Sequence, residues 1–294
     1  LLFARVIQGI GGSTGQALSR ATVRDVFPRD KSASVLGYIS MAMIVVPMIG
    51  PTTGGFLTET ASWRYIFVIL AVVGTLVLAL SLRYLQETAQ QSVKAKPKFF
   101  PSARLLLRER AFLGYPCNFT FATCMYYGFQ AGAPYLVLEI MQRKPSEYGI
   151  YFAMTAVGYF LGNFASGRFS QQIAADRMIT LALVPSFMGL IVFWLFADTL
   201  HPLALFGPMT LLVFSNGMTN PNALSGALSV RPELAGPASG LNGFVQVGMA
   251  AVTTFIVGFI QNGLFWPLLS VLTTCATLAA IGAYMVHTQP TPPE

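Results

Sequence analysis

Apolar residues recur along this chain in blocks about twenty long, and that length decides what the chain can become. As a helix, about twenty residues rise roughly 30 Å, the thickness of a bilayer's hydrocarbon core. Nine blocks stand out, at roughly 1–19, 34–57, 64–86, 112–138, 148–167, 178–197, 203–228, 238–260 and 264–286. Of the 294 residues, 54% are hydrophobic and 10% charged, against about 25% charged in a typical soluble domain. A water-soluble globule is excluded, and the expected fold is an all-α polytopic membrane protein. Glycine and proline inside the blocks do not argue against helix, because spanning helices tolerate both.

The net charge of +7 does not point to nucleic acid, because the basic residues gather at block ends. One side of the membrane takes 14 of the 18 Lys and Arg, in the groups Arg20–Lys31, Arg83–Arg110, Arg168 with Arg177, and Arg231. The other side takes only Arg64, Arg143 and Lys144. By the positive-inside rule the basic side is cytoplasmic, and the C-terminus lies there. Residue 1 is a leucine within an apolar run, with no signal peptide before it, which predicts a chain truncated at its N-terminus. The long interruption near 87–110 divides three spans from six, as in transporters built from six-span halves joined by a linker. The expected organisation is 1–86, the last three helices of an N-terminal bundle; 87–110, a cytoplasmic linker; and 111–294, a C-terminal six-helix bundle. Three missing spans would complete the first half, and without them the chain is not expected to transport. Within the linker, Ala103–Arg110 sets three leucines between arginines, and reads either as an interfacial helix or as solvated chain. Cys117, Cys124 and Cys275 are odd in number and lie within apolar blocks, so they read as packing residues.

The first block carries Arg5, Gln8, Gly9, Gly12 and Gln16 at i, i+3, i+4, i+7 and i+11, one polar and small stripe on a helix. Arg5 is fifteen residues, or about 22 Å, from Arg20. An intramembrane arginine costs about 2.5–3.5 kcal/mol on insertion scales and normally serves a function. The other reading is an anchor that snorkels to the outer surface. The second block ends in Gly50-Pro51-Thr52-Thr53-Gly54-Gly55. Gly50 and Gly54 form a G-x-x-x-G face for close helix approach, and Pro51 kinks the helix by removing a donor.

These residues carry a resemblance. LLFARVIQGIGGSTG resembles the fourth-span motif of the major facilitator superfamily, an arginine followed three residues later by Gln-Gly. VVPMIGPTTGGFL resembles the fifth-span motif of its drug antiporters, G-x-x-x-G-P-x-x-G-G, with Val46 in place of the first glycine. SWRYIFVI, APYLVLE, GNFASGRF and RPELAGPASGLNG look like the bicyclomycin and chloramphenicol resistance (Bcr/CflA) type, although Pro237 stands where threonine is expected. The resemblance implies a major facilitator fold entered at the fourth of twelve spans, nine being present. It implies proton coupling through Arg5 and Gln8, with an antiporter packing motif at Gly50, Pro51, Gly54 and Gly55. It also implies a drug cavity near Tyr126, Tyr127 and Gln130 on the seventh span, Asn220 on the tenth, and Asn242 and Gln246 on the eleventh. The same amides read equally as interhelical hydrogen bonds, at about 0.6 kcal/mol each.

There is no H-E-x-x-H, P-loop or G-x-S-x-G motif, so ATP-driven transport and metallohydrolysis are not expected. No catalytic residue, metal or cofactor is assigned. No Asp or Glu lies mid-span, since Glu59, Glu139 and Asp198 are near span ends. An arginine does not give up its proton, so the titratable group of a proton-driven carrier is expected in the preceding spans. The family's first span typically carries such an acid. The resulting expectation is a monomeric exporter of small amphipathic drugs in exchange for protons, in a bacterial inner membrane. The alternatives are a metabolite transporter on the same fold, or a non-transporting membrane enzyme or receptor.

Overall fold

The structure, a computed structural model, describes residues 3–12, 22, 50–84, 99–170 and 172–287. Every regular element among them is helical: α1 (described over 3–12), α2 (50–60), α3 (Trp63–Tyr84), α4 (Phe99–Leu106), α5 (Arg110–Pro134), α6 (Pro145–Phe169), α7 (Ala175–Leu195), α8 (Pro202–Val230), α9 (Ala235–Ile260) and α10 (Phe265–His287). Arg20–Lys31, Gln16, Val46 and residues 87–98 of the expected linker lie outside the described residues. The described residues fall into two units. One holds α1 and α3, and the other holds α2 with α4 to α10.

Four helices are long and apolar enough to cross a membrane on those grounds alone: α3, α7, α9 and α10. α5, α6 and α8 have ample length at 25, 25 and 29 residues. They carry more polar groups because more of their surface faces other helices. Thus Asn118, Thr120 and Thr123 of α5, Thr155 and Ser166 of α6, and Ser215, Asn216, Thr219 and Asn222 of α8 are all buried. Prolines 116, 185, 208 and 221 sit inside α5, α7 and α8. The backbone groups that proline frees can be re-satisfied by neighbouring helices. After Pro134, α5 widens into a π-helical stretch, Tyr135–Ile140, in which the Met141 N–H bonds the Leu136 carbonyl at 2.9 Å. Apolar periodicity alone does not reveal this wider turn.

The larger unit packs around one apolar core. Phe129, Phe152, Phe193, Phe206 and Leu268 are buried within it, and the Phe129 and Phe206 rings meet edge-on at 5.3 Å. The three cysteines are unpaired, Cys124 and Cys275 buried and Cys117 half-buried. Small residues let backbones meet where α6 crosses α8. A Cβ added to Gly158 would lie 2.5 Å from the Thr210 carbonyl oxygen, and one at Gly162 would collide with the Phe214 carbonyl. In return, Gly217 presses on the Tyr159 carbonyl. The G-x-x-x-G spacing of Gly158 and Gly162 is therefore a true helix contact. That of Gly236 and Gly240 is different. Gly236 faces open space, and Gly240 meets only the Phe99 ring, because the short α4 covers that end of α9.

Gly162→Ala should cost about 1–3 kcal/mol, since a backbone carbonyl cannot yield as a flexible side chain can. Gly207→Ala is the control. Nothing lies within 4 Å of its added Cβ, and alanine favours helix by about 0.5–1 kcal/mol. Thermal unfolding in detergent should fall for the first and hold or rise for the second. Equal unfolding temperatures would refute the close-contact assignment.

Candidate functional site

The described part of the antiporter-like motif, Gly50 to Gly55, lies in α2, and α2 lies against the N-terminal end of α6. Thr52 Oγ1 donates to the Gly149 carbonyl at 2.9 Å. A Cβ on Gly149 would sit 2.5 Å from Thr52 Cα and 2.9 Å from the Pro51 carbonyl oxygen. A Cβ on Gly55 would strike the Pro145 carbonyl. Backbone meets backbone here, which only glycine on both helices permits. The contact runs through Pro51, Thr52 and Gly55. Gly50 has nothing within 4 Å of an added Cβ, and Gly54 is half-buried, its carbonyl accepting from Thr58 Oγ1 at 2.7 Å.

The same end of α6 has a capping arrangement that the sequence does not announce. Lys144, its N-cap residue, makes no side-chain cap bond, and Pro145 follows at the first helical position. The Ser146 N–H donates instead to Glu59 Oε1 of α2 at 2.8 Å, so a carboxylate from another helix satisfies an orphan donor. That N–H, helped by the nearby Lys144 charge, holds the Glu59 carboxyl below its ordinary range. A carboxylate shifted this way contributes at neutral pH and is lost only as pH falls through the lowered value.

A second cluster joins α5 and α9. Thr123, Tyr127 and Gln130 lie at i, i+4 and i+7, one face of α5. Gln246 Nε2 of α9 donates to Thr123 Oγ1 at 3.2 Å, tying α9 to that face. Tyr127 and Gln130 are exposed. Tyr126 turns the other way, meeting Tyr127 edge-on at 5.5 Å and Phe152 of α6 at 6.3 Å. Asn242, one turn before Gln246, is buried, and its Oδ1 has no hydrogen-bond partner among the described residues. The same is true of Asn220 Oδ1. A buried acceptor without a partner costs about 1–3 kcal/mol, and Asn118, Thr120, Asn216 and Gln261 carry such an oxygen as well.

The other α8 amides are ties between helices. Asn216 Nδ2 donates to the Ala122 carbonyl of α5 at 2.9 Å, and Asn222 Nδ2 to Ser166 Oγ of α6 at 2.8 Å. The structure thus ties both asparagines to other helices, although Asn216 Oδ1, like that of Asn220, has no hydrogen-bond partner among the described residues. It also adds Thr123 and the α6 tyrosines Tyr148 and Tyr151, whose rings pack on Phe206. Thr123 was findable as the residue one turn before Tyr127. Tyr148 and Tyr151 needed the α6–α8 contact.

In the smaller unit, Arg5 Nη1 donates to Gln8 Oε1 at 2.8 Å, and the guanidinium lies 5.2 Å from the Phe67 ring centre of α3. Arg5 and Gln8 are thereby brought together on α1. No three His, Cys, Asp or Glu side chains among the described residues gather to hold a metal.

Long helices meeting through glycines, with amides buried among them, are the build of a multi-pass membrane protein. The comparisons with known proteins agree. The model of the Major Facilitator Superfamily matches residues 1–254, and the chain belongs to that superfamily. It is 26% identical over 289 residues to a bicyclomycin resistance protein homolog of Haemophilus influenzae, covering 96% of this chain and 72% of that protein. It is 27% identical over 292 residues to the multidrug resistance protein MdtL of Escherichia coli, covering 95% and 71%. Among solved structures, an inward-facing, unoccupied bacterial homolog of the human lysosomal transporter Spinster superposes with a TM-score of 0.61 at 14% identity, covering 92% of this chain and 71% of that one. That likeness concerns the fold alone. The protein is a transporter, not an enzyme, and it moves small molecules. The motif resemblance to bicyclomycin-resistance transporters agrees with the relatives' names.

Proposed function

We propose that the protein exports small amphipathic drugs or toxic compounds from a bacterial cell in exchange for protons. It sits in the inner membrane with its C-terminus in the cytoplasm and works as a monomer. Residues 1–86 and 111–294 belong to two rocking six-helix halves, nine of twelve spans in all, joined by the linker 87–110. The observation that carries this reading is the α2–α6 contact. The motif that marks drug antiporters builds a backbone-to-backbone contact through Thr52, Gly55 and Gly149. The names of the bicyclomycin and multidrug resistance relatives support the substrate class. The face formed by Tyr127 and Gln130, with the free acceptors of Asn220 and Asn242, suits a ligand that is partly aromatic and partly polar.

The test is substrate movement in proteoliposomes of the intact transporter under an imposed pH gradient. A cationic dye should accumulate only while the gradient stands, and drugs should compete with it while metabolites do not. Tyr127→Ala and Gln130→Ala should each change the ranking of competing drugs by several-fold more than they change the total rate. Competition by metabolites alone would replace drug export with metabolite transport. A uniform loss across drugs would remove these two residues from the cavity.

A further inference from the structure

α4 reads Phe-Phe-Pro-Ser-Ala-Arg-Leu-Leu, and its two faces have different surroundings. Ser102, Ala103 and Leu106 are buried. The apolar two of these share a cluster with Phe112 of α5, Ala227 of α8, and Ala238 and Leu241 of α9. The helical path continues past Leu106, because the Leu107 N–H bonds the Ala103 carbonyl at 2.9 Å and the Arg108 N–H the Leu105 carbonyl at 3.1 Å. Phe100, Arg104 and Arg108 therefore follow one another at i, i+4 and i+8 on the opposite face. With Pro101 and Leu105 they line an open cavity of about 510 Å³.

Three properties of this face restrict what can occupy it. Phe100 is 84% exposed, more than any other large apolar side chain among the described residues. Such a ring at a helix surface calls for an apolar neighbour. Arg104 and Arg108 enter no ion pair among the described residues, whereas Arg143 and Arg231 are paired with Glu147 and Glu109. Two unpaired guanidiniums side by side call for anions, and their planar forks suit phosphate. Finally, the spanning helix α5 starts at Arg110, four residues after α4 ends. α4 is thus held where a membrane span meets the membrane surface.

We infer that this face of α4 binds anionic phospholipid headgroups, with Phe100 and Leu105 entering the acyl boundary and Arg104 and Arg108 holding the phosphates. The inference rests on the transport reading only for the leaflet, the cytoplasmic one. An amphipathic helix lying in the interface with arginines on its polar flank has the required physics. Attraction to an anionic surface adds to apolar burial for each basic residue near it. Zwitterionic lipid offers the same apolar surface without the net charge, so the two arginines should show as a preference between lipids.

Phe100→Trp in the intact protein supplies a reporter, read against the parent because Trp63, Trp194 and Trp266 also emit. The protein is reconstituted in phosphatidylcholine containing a minority of brominated phosphatidylglycerol or, in parallel, of brominated phosphatidylcholine. Tryptophan at position 100 should be quenched by both, and by the anionic lipid at a mole fraction on the order of ten-fold lower, as two basic residues near a charged surface provide. Adding Arg104→Gln and Arg108→Gln should remove the preference yet keep quenching by the zwitterionic lipid, which shows that the helix still lies on the membrane. Lysine at both positions should retain most of the preference. Excess inorganic phosphate should leave it in place. Equal quenching by the two lipids, a preference that survives both glutamines, or its loss to free phosphate would each overturn the proposal. So would absence of quenching, which would put this face in water or against another protein. Transport is not read in this assay, so its outcome is separate from that of the export reading.

Discussion

Replacing Gly149 with leucine is expected to lower drug efflux at least about ten-fold, equivalent to roughly 1.4 kcal/mol or more in the transport barrier, while expression in the membrane persists. The expectation follows from the α2–α6 contact. A bare Cβ at this position would already lie 2.5 Å from Thr52 Cα, and leucine adds three further carbons. The atoms opposite are backbone, so no rotamer change relieves the clash. α2 and α6 must separate, which also breaks the bonds from Thr52 Oγ1 to the Gly149 carbonyl and from the Ser146 N–H to Glu59. If this contact closes the outer side in one half of the cycle, the variant stays open there. A Thr52→Cys reporter, in a background lacking the three native cysteines, should then react faster with an impermeant thiol reagent added outside. Gly149→Ala should give an intermediate effect. Gly50→Ala should give little, since nothing lies near its added Cβ. Normal efflux with leucine at 149 would mean that the contact does not take part in the cycle.

The helical, membrane-crossing character was legible because block length is a direct physical constraint. About twenty apolar residues in a row have few other uses. The blocks also located α5 to α10 closely, although α5, α6 and α8 are not apolar enough to qualify by hydropathy alone. Their polar residues face partners inside the bundle, and a linear sequence does not show which face is turned inward. The same limit explains the asparagines. Asn216, Asn220 and Asn222 look alike in sequence, yet Asn216 and Asn222 donate across helix contacts, and among the described residues the carbonyl oxygens of Asn216 and Asn220 have no partner. Motif spacing pointed to Gly50 and Gly54 as the close-packing pair. The described contact with α6 runs through Thr52 and Gly55, because its location depends on where α6 approaches, about ninety positions away in sequence. Glu59 as a cap for α6 was out of reach for the same reason. A capping residue is normally sought beside its own helix.

Arg5→Ala should abolish proton-coupled efflux in the intact transporter while leaving drug binding measurable. α1 holds the guanidinium in a defined place. One N–H group is occupied by Gln8 Oε1 at 2.8 Å, and the Phe67 ring lies 5.2 Å away. A hydrogen bond to a charged group contributes about 1.5–3 kcal/mol, and a cation over an aromatic ring about 0.5–2 kcal/mol. Together these are comparable to the roughly 2.5–3.5 kcal/mol cost of an arginine in a span. If Arg5 lies within a span, these contacts offset part of that cost without an acidic partner. That is a useful property in a coupling residue, which must meet an acid in one state and release it in another. Of the five N–H donors on a guanidinium, only one is used by Gln8, so a fork remains for a carboxylate. In the proposed cycle an acid elsewhere in the intact transporter approaches, and the fixed positive charge favours its ionised form and drives the proton off. When helices rock apart, the acid regains its proton. Without Arg5 the acid should keep its proton to higher pH, so drug-induced proton release in detergent should move to higher pH and shrink. Arg5→Lys should retain part of the activity, keeping the charge but losing the planar fork. Gln8→Ala should cost less than Arg5→Ala, because the ring contact and the charge both persist. The measurement that decides is proton release against pH, taken together with the efflux rate. If both are unchanged in Arg5→Ala, the guanidinium is only an anchor reaching toward the membrane surface, and coupling must be sought in another residue.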